Sequence, residues 1–165
     1  MLLVCTGIAS VYSYALDNGA GSIVQLDGSN IEIQDYASLP QAQYYAAVYQ
    51  NGEDNVVELT QIGLKNIAGV SQGSVDIPCL NCIATILSSG NENTINLIQS
   101  GTGNDMNVYQ YGNENSMIGE QVGNANNATV VHYNNGNSTE IYQYGDGLSV
   151  KVTLYGSEAV VIKQQ

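Results

Sequence analysis

Cys79-Leu80-Asn81-Cys82 is the stretch of this 165-residue chain whose residue types and spacing come closest to a reactive motif. A C-x-x-C pair can cycle between dithiol and disulfide, or supply two of the four ligands of a zinc ion. Zinc would need two more ligands, for which the chain offers only His132 and Cys5, so no metal site is expected. A thioredoxin-type pair belongs near a strand-to-helix junction, and nothing around Cys79 reads as helix. A local disulfide between Cys79 and Cys82, or two inert thiols, are the readings that stay open. Acid–base chemistry is no better supplied. Cleaving acidic polysaccharides takes clustered bases and cations, whereas this chain has one His, no Arg, and its Lys residues scattered at 65, 151 and 163. No catalytic residue, metal or cofactor is expected, and the chain is read as a non-enzyme.

The side-chain chemistry that does recur is hydrogen bonding by amides. A unit N-x-φ-x-φ-x-Q-x-G-x-x, with φ apolar, repeats in steps of eleven. Its Gln slot holds Gln50, Gln61, Gln72, Ser88, Gln99, Gln110, Gln121, His132, Gln143, Leu154 and Gln165, with one longer step between 72 and 88 that accommodates a five-residue insertion. Two residues later comes Gly52, Gly63, Gly90, Gly101, Gly112, Gly123, Gly145 or Gly156, with Asn134 as the substitute inside the regular run. The next unit opens on Asn55, Asn66, Asn93, Asn104, Asn115, Asn126 or Asn137. Three residue types on one lattice point to a repeat architecture.

Each unit alternates over seven residues and turns over four, the pattern of a strand followed by a Gly-bearing corner. Asn104, Met106, Val108 and Gln110 share one face, and the same parity makes inward pairs of Val57 and Leu59, Ile95 and Leu97, Ala128 and Val130, and Val150 and Val152. One unit cannot close a core. Two back to back make a 22-residue strand-turn-strand coil, its strands facing each other across about 10 Å and its coils stacked about 4.8 Å apart. The predicted fold is all-β: a β-solenoid of cross-β type with two parallel, in-register sheets. Stacking sorts the Gln slots into two columns. The first, Gln50, Gln72, Gln99, Gln121, Gln143 and Gln165, is a ladder in which each buried amide is satisfied by identical neighbours. The second carries Gln61 and Gln110, with Ser88, His132 and Leu154 in the other places.

This lattice resembles that of the curlins, the subunits of bacterial curli amyloid. Their repeat is S-x5-Q-x-G-x-x-N-x-A-x3-Q. Gln61-x-Gly63-x-x-Asn66-x-Ala68-x3-Gln72 matches all of it after the opening Ser, whose place Asn55 takes, and Gln121-x-Gly123-x-x-Asn126-x-Ala128-x3-His132 is a near match. The resemblance spans residues 44 to 165 and covers major-subunit and nucleator types alike. It implies export through an outer-membrane secretion pore, nucleation by a partner subunit, and a homopolymeric extracellular fibre serving biofilm matrix and surface adhesion. The final strand, Ala159 to Gln165, ends on the lattice without an added cap, which predicts an open β-edge able to template another subunit. Lys163 falls on the inward parity there, as a gatekeeper or a sign that the register shifts. The alternative is a soluble, capped β-solenoid binding module; an ice-binding helix would need a flat Thr array, and the outward positions here are mixed.

Composition limits the partners. A net charge of −12 with three cations argues against nucleic acid and anionic membrane surfaces, and no apolar run reaches the roughly 20 residues of a membrane-spanning helix. Residues 1–15 read as a truncated signal peptide ending in Ser13-Tyr14-Ala15, against an N-terminal strand. Residues 16–43 read as a leader with a degenerate unit around Gln25 and Asn30, and residues 44–165 as the repeat domain, with the insertion at 73–81. Outside the coil, Tyr111, Tyr133 and Tyr155 recur as an exposed column, for stacking or for contacts between fibres. Glu92, Glu114 and Glu158 are expected along one corner edge, with Gly136 in the missing place, as a solubilising border. The sequons at Asn127 and Asn137 are read as products of an Asn-rich repeat.

Overall fold

Short alternating segments rich in Val, Ile, Thr and Tyr, separated by glycine-bearing corners, form strands here and no helix among the described residues. The computed structural model describes residues 12–13, 21–25, 30–36, 45–74 and 76–165, with side chains from Tyr45 onward. Two parallel sheets face each other. Sheet A contains, in spatial order, β1 (Tyr12–Ser13), β3 (Asn30–Tyr36), β5 (Val56–Leu64), β8 (Ile83–Asn91), β10 (Asp105–Tyr111), β12 (Asn127–Tyr133) and β14 (Ser149–Leu154). Sheet B runs β2 (Gly21–Gln25), β4 (Tyr45–Gln50), β6 (Ile67–Gln72), β9 (Thr94–Thr102), β11 (Ser116–Asn124), β13 (Ser138–Tyr144) and β15 (Ala159–Gln164), with the short β7 (Cys79–Leu80) also pairing with β9. The chain alternates between the sheets, so each coil contributes one strand to each.

The register is the one that the lattice predicts. Gln61 lies opposite Ser88, Ser88 opposite Gln110 and Gln110 opposite His132. In sheet B, Gln50 faces Gln72, Gln72 faces Gln99 and Gln99 faces Gln121. The core between the sheets is one continuous cluster of Val57, Leu59, Ile86, Ile95, Leu97, Met106, Val108, Met117, Val130 and Ile141 with smaller neighbours. Volume is shared across it: a Cβ on inward-facing Gly119 would run into the Met106 thioether, so the bulky side chain from sheet A is seated where sheet B has none.

Two ends of the stack depart from the lattice. The corner after Leu154 is one residue shorter than the others, because the Asn-slot carbonyl that receives Ser138 N–H (2.8 Å) belongs to Glu158. In a strand, a one-residue slip exchanges the two faces. Val160 and Ile162 therefore pack on the core, while Lys163 points outward with its ammonium 5.5 Å from the Tyr142 ring centre. Gln164, not Gln165, lies opposite Gln143. At the other end, Gln25 and Asn30 keep their spacing but miss the slots: Gln25 lies opposite Tyr49 and Asn30 opposite Val56. The signal-peptide reading falls outside the described residues except for Tyr12–Ser13, which pair with β3.

The insertion stays tied to the stack at both of its ends, where Asn51 Nδ2 donates to Ser74 O and Gly101 N–H to Pro78 O (3.2 Å). Gly73 N–H still reaches Gln99 O at 2.7 Å, and Cys79 N–H rejoins the stack on Asn51 O at 2.9 Å. Cys79 then takes the Gly place opposite Gly101, and Cys82 takes the Asn place.

Candidate functional site

The feature with the most specific chemistry is the amide ladder inside sheet B. Gln50 Nε2 donates to Gln72 Oε1 (2.6 Å), Gln72 to Gln99 (3.0 Å), Gln99 to Gln121 (2.9 Å), Gln121 to Gln143 (2.8 Å) and Gln143 to Gln164 (2.8 Å). Every link runs the same way. The other proton of the Nε2 group crosses to the opposite strand, as from Gln99 to Ile83 O (2.9 Å) and from Gln121 to Asp105 O (3.1 Å). Burying an unpaired amide costs about 1–3 kcal/mol, and the Gln repeat removes that penalty while tying each coil to the next and each sheet to the other.

The Asn slots do a related job at the corners. Asn104, fully buried, accepts from Asn126 N–H of the next coil (3.0 Å) and donates to Gly123 O of that same coil (2.9 Å). Asn93 repeats this with Asn115 N–H (3.0 Å) and Gly112 O (2.8 Å), and Asn126 with Leu148 N–H (2.9 Å) and Gly145 O (2.8 Å). Asn55 clamps Cys82 N–H and Cys79 O in the same way. Asn66, Asn115 and Asn137 also sit buried in their slots.

The predicted corner glycines at 52, 63, 90, 101, 112, 123, 145 and 156 all have positive φ, from 112° to 146°. At Gly63 the need is double: φ is +122°, and an added Cβ would overlap the Gly90 carbonyl of the coil above. One corner position escaped the sequence reading. A second residue in each corner is left-handed and need not be Gly: Asp54, Lys65, Asn81, Glu92, Glu114, Ala125 and Ser157 have φ between 52° and 58°. Only Asn81 and Asp54 are types with a known tolerance for that region, which is why no composition signal marks it. The predicted acidic edge is corrected by the same short corner. Glu92 and Glu114 lie on it, Lys65 joins Glu92 at 3.0 Å, and Ser157, not Glu158, stands beside Gly136.

The second column is not a ladder. Gln61 and Gln110 are separated by Ser88, whose side chain is too short to carry the chain of amides across. Ser88 Oγ and Gln110 Oε1 are both buried without a partner. One coil further, His132 Nδ1 faces the Gln110 amide nitrogen at 3.4 Å and His132 Nε2 faces Thr139 Oγ1 of sheet B at 2.8 Å. The amide donates to Nδ1, which places the imidazole proton on Nε2 and lets it donate to Thr139. Burial away from water lowers the His132 pKa from 6.5 to about 4, so the ring is neutral near pH 7. Asp105, at the start of β10, moves the other way: partial burial raises its pKa, and the hydrogen bond from Asn107 (2.9 Å) opposes the rise.

Cys79 and Cys82 form a disulfide with their Cα atoms 5.9 Å apart. This bridge takes over the corner where Cys82 stands in for the clamping Asn, and both residues are fully buried. Tyr111, Tyr133 and Tyr155 form the outward column as read from the sequence, with rings stacked in series. Among the described residues no group of three or more His, Cys, Asp and Glu could hold a metal ion.

The fold and its ladders define a repeat protein, a β-solenoid of about 22-residue coils in two parallel sheets. The chain matches no family model, no curated protein and no solved structure. Among the described residues no helix is long and apolar enough to cross a membrane.

Proposed function

We propose that this chain is a structural subunit that self-assembles, coil on coil, into an extracellular, curli-like amyloid fibre for biofilm matrix and surface adhesion. The observation that carries the reading is the one-way Gln ladder from Gln50 to Gln164. The rungs from Gln72 to Gln143 receive on one side and donate on the other, and Gln50 Oε1 is left without a donor among the described residues, so the two faces of a coil are complementary to each other and a second copy can extend the same ladder. Among the described residues, β14 and β15 are each paired on one side only, which leaves backbone groups available to such a copy. A structural role also fits the only His: His132 is held between Gln110 and Thr139 in the core and faces no open cleft. In this reading the partners are other copies, a nucleating subunit and an outer-membrane secretion pore, the last two by resemblance alone.

A second reading, a capped β-solenoid binding module, is favoured by one observation. In the coil formed by β2 and β3, Gln25 misses the ladder position beside Gln50 and Asp35 lies opposite Gln61, so that end does not repeat the rung. Fibre diffraction separates the two. The full chain, diluted from denaturant and aligned, is expected to give a meridional reflection at about 4.7–4.8 Å. A clear solution of folded monomers at the same concentration would remove the fibre reading and leave the module.

A further inference from the structure

The tyrosine column has a chemical property that fibre stacking does not use. Tyr111 and Tyr133 are direct partners in the parallel pairing of β10 and β12. Their ring centres are 5.6 Å apart with 13° between planes, and those of Tyr133 and Tyr155 are 5.3 Å apart with 16°. These are the stacked ring pairs found among the described residues. All three tyrosines are exposed to solvent, at 37%, 40% and 66% in chain order. Among the described residues the competing sulfur groups are withheld, since Met106 and Met117 are fully buried and Cys79 and Cys82 are joined to each other, and the chain has no Trp.

We propose that this column is a site of oxidative tyrosine coupling, in which Tyr133 forms a carbon–carbon bond with Tyr111 or Tyr155 and staples neighbouring coils together. The co-substrate class is hydrogen peroxide, used by a haem peroxidase as a one-electron oxidant. Each of two phenols loses one electron to the oxidant and its hydroxyl proton to water. The resulting phenoxyl radicals carry spin on oxygen and on the ring carbons ortho and para to it, and the para carbon already bears the side chain. An ortho carbon of each ring joins to the other, and each then passes its hydrogen through water to its own phenol oxygen, restoring both aromatic rings. Two electrons and two protons leave in all, and with them one peroxide becomes two waters. The fold supplies proximity: residues 22 apart in sequence are held ring against ring before oxidation, so coupling within the column outruns random encounter.

The test is to treat the folded full chain, kept dilute, with a haem peroxidase and hydrogen peroxide, and to map linked peptides by mass spectrometry beside a urea-unfolded control. The expected products are chains lighter by two hydrogens, with links confined to Tyr111–Tyr133 and Tyr133–Tyr155, and a higher urea midpoint than the uncoupled chain. Tyr133→Phe keeps a stacked ring and the fold, checked by circular dichroism, and should reduce coupling to the level of the unfolded control. Tyr111→Phe should leave only the link to Tyr155, and Tyr155→Phe only the link to Tyr111. Undiminished coupling in Tyr133→Phe, links spread over Tyr109, Tyr142 and Tyr144, or a folded chain that couples less than the unfolded one would each overturn the proposal.

Discussion

Replacing His132 with Gln should remove an acid sensitivity built into the core. In the folded chain the imidazole is buried, and its pKa falls from 6.5 to about 4. Between those values the unfolded chain binds a proton that the folded chain refuses. Stability contributed by the neutral ring is therefore complete above pH 6.5 and is lost as pH falls toward 4. The loss is about 1.4 kcal/mol per pH unit, or about 2 kcal/mol at pH about 5, where most carboxylates are still ionised. Asp105 contributes the opposite slope, because its raised pKa makes the folded state take up a proton earlier, but that contribution is common to both proteins. Gln in this column lies opposite Gln110 and can pair with its amide, while the Thr139 hydroxyl gives up its present partner, so the change near pH 7 should stay within about 1 kcal/mol. Urea denaturation followed by far-ultraviolet circular dichroism, at pH about 7.5 and about 5, reads the difference directly. If the two proteins lose stability in parallel on acidification, His132 is not a buried neutral base.

Three further substitutions address the ladder, the clamp and the corner. Changing Gln99 and Gln121 together to Leu removes three links of the ladder and two cross-sheet bonds; at about 1 kcal/mol each this should destabilise the chain by about 5 kcal/mol. Unaltered denaturant resistance and unaltered assembly kinetics in that variant would sink the ladder argument. Asn104→Ala should cost about 2–4 kcal/mol, since Asn126 N–H and the Gly123 carbonyl lose their partner together, and hydrogen exchange at Asn126 should accelerate with it. Ala125→Gly should instead stabilise by about 0.5–1 kcal/mol, because the exposed Ala is held at φ 55°; a lower urea midpoint would mean that the left-handed corner is not strained.

The lattice of Gln, Gly and Asn determined the strands, the corners, the inward faces and the parallel register, and the reason is physical. Burial forces alternation along a strand, buried amides must be paired, and a corner that stacks under the next carbonyl favours Gly, so each constraint leaves a residue type at a fixed interval. What the sequence could not determine depends on pairs of positions on different coils. A short corner at Glu158 shifts β15 by one residue, and only the pairing of Gln143 with Gln164 shows it. Ser88 reads as a harmless variant of the Gln slot until its place between Gln61 and Gln110 shows that it breaks the column. The left-handed place filled by Ala125 or Glu114 carries no typical residue, and the seating of Met106 against Gly119 joins two sheets that local spacing does not connect. Periodicity along the chain was legible because every coil repeats the same physical demand. The exceptions were decided by the tertiary structure, because each is a compromise between neighbours that only stacking brings together.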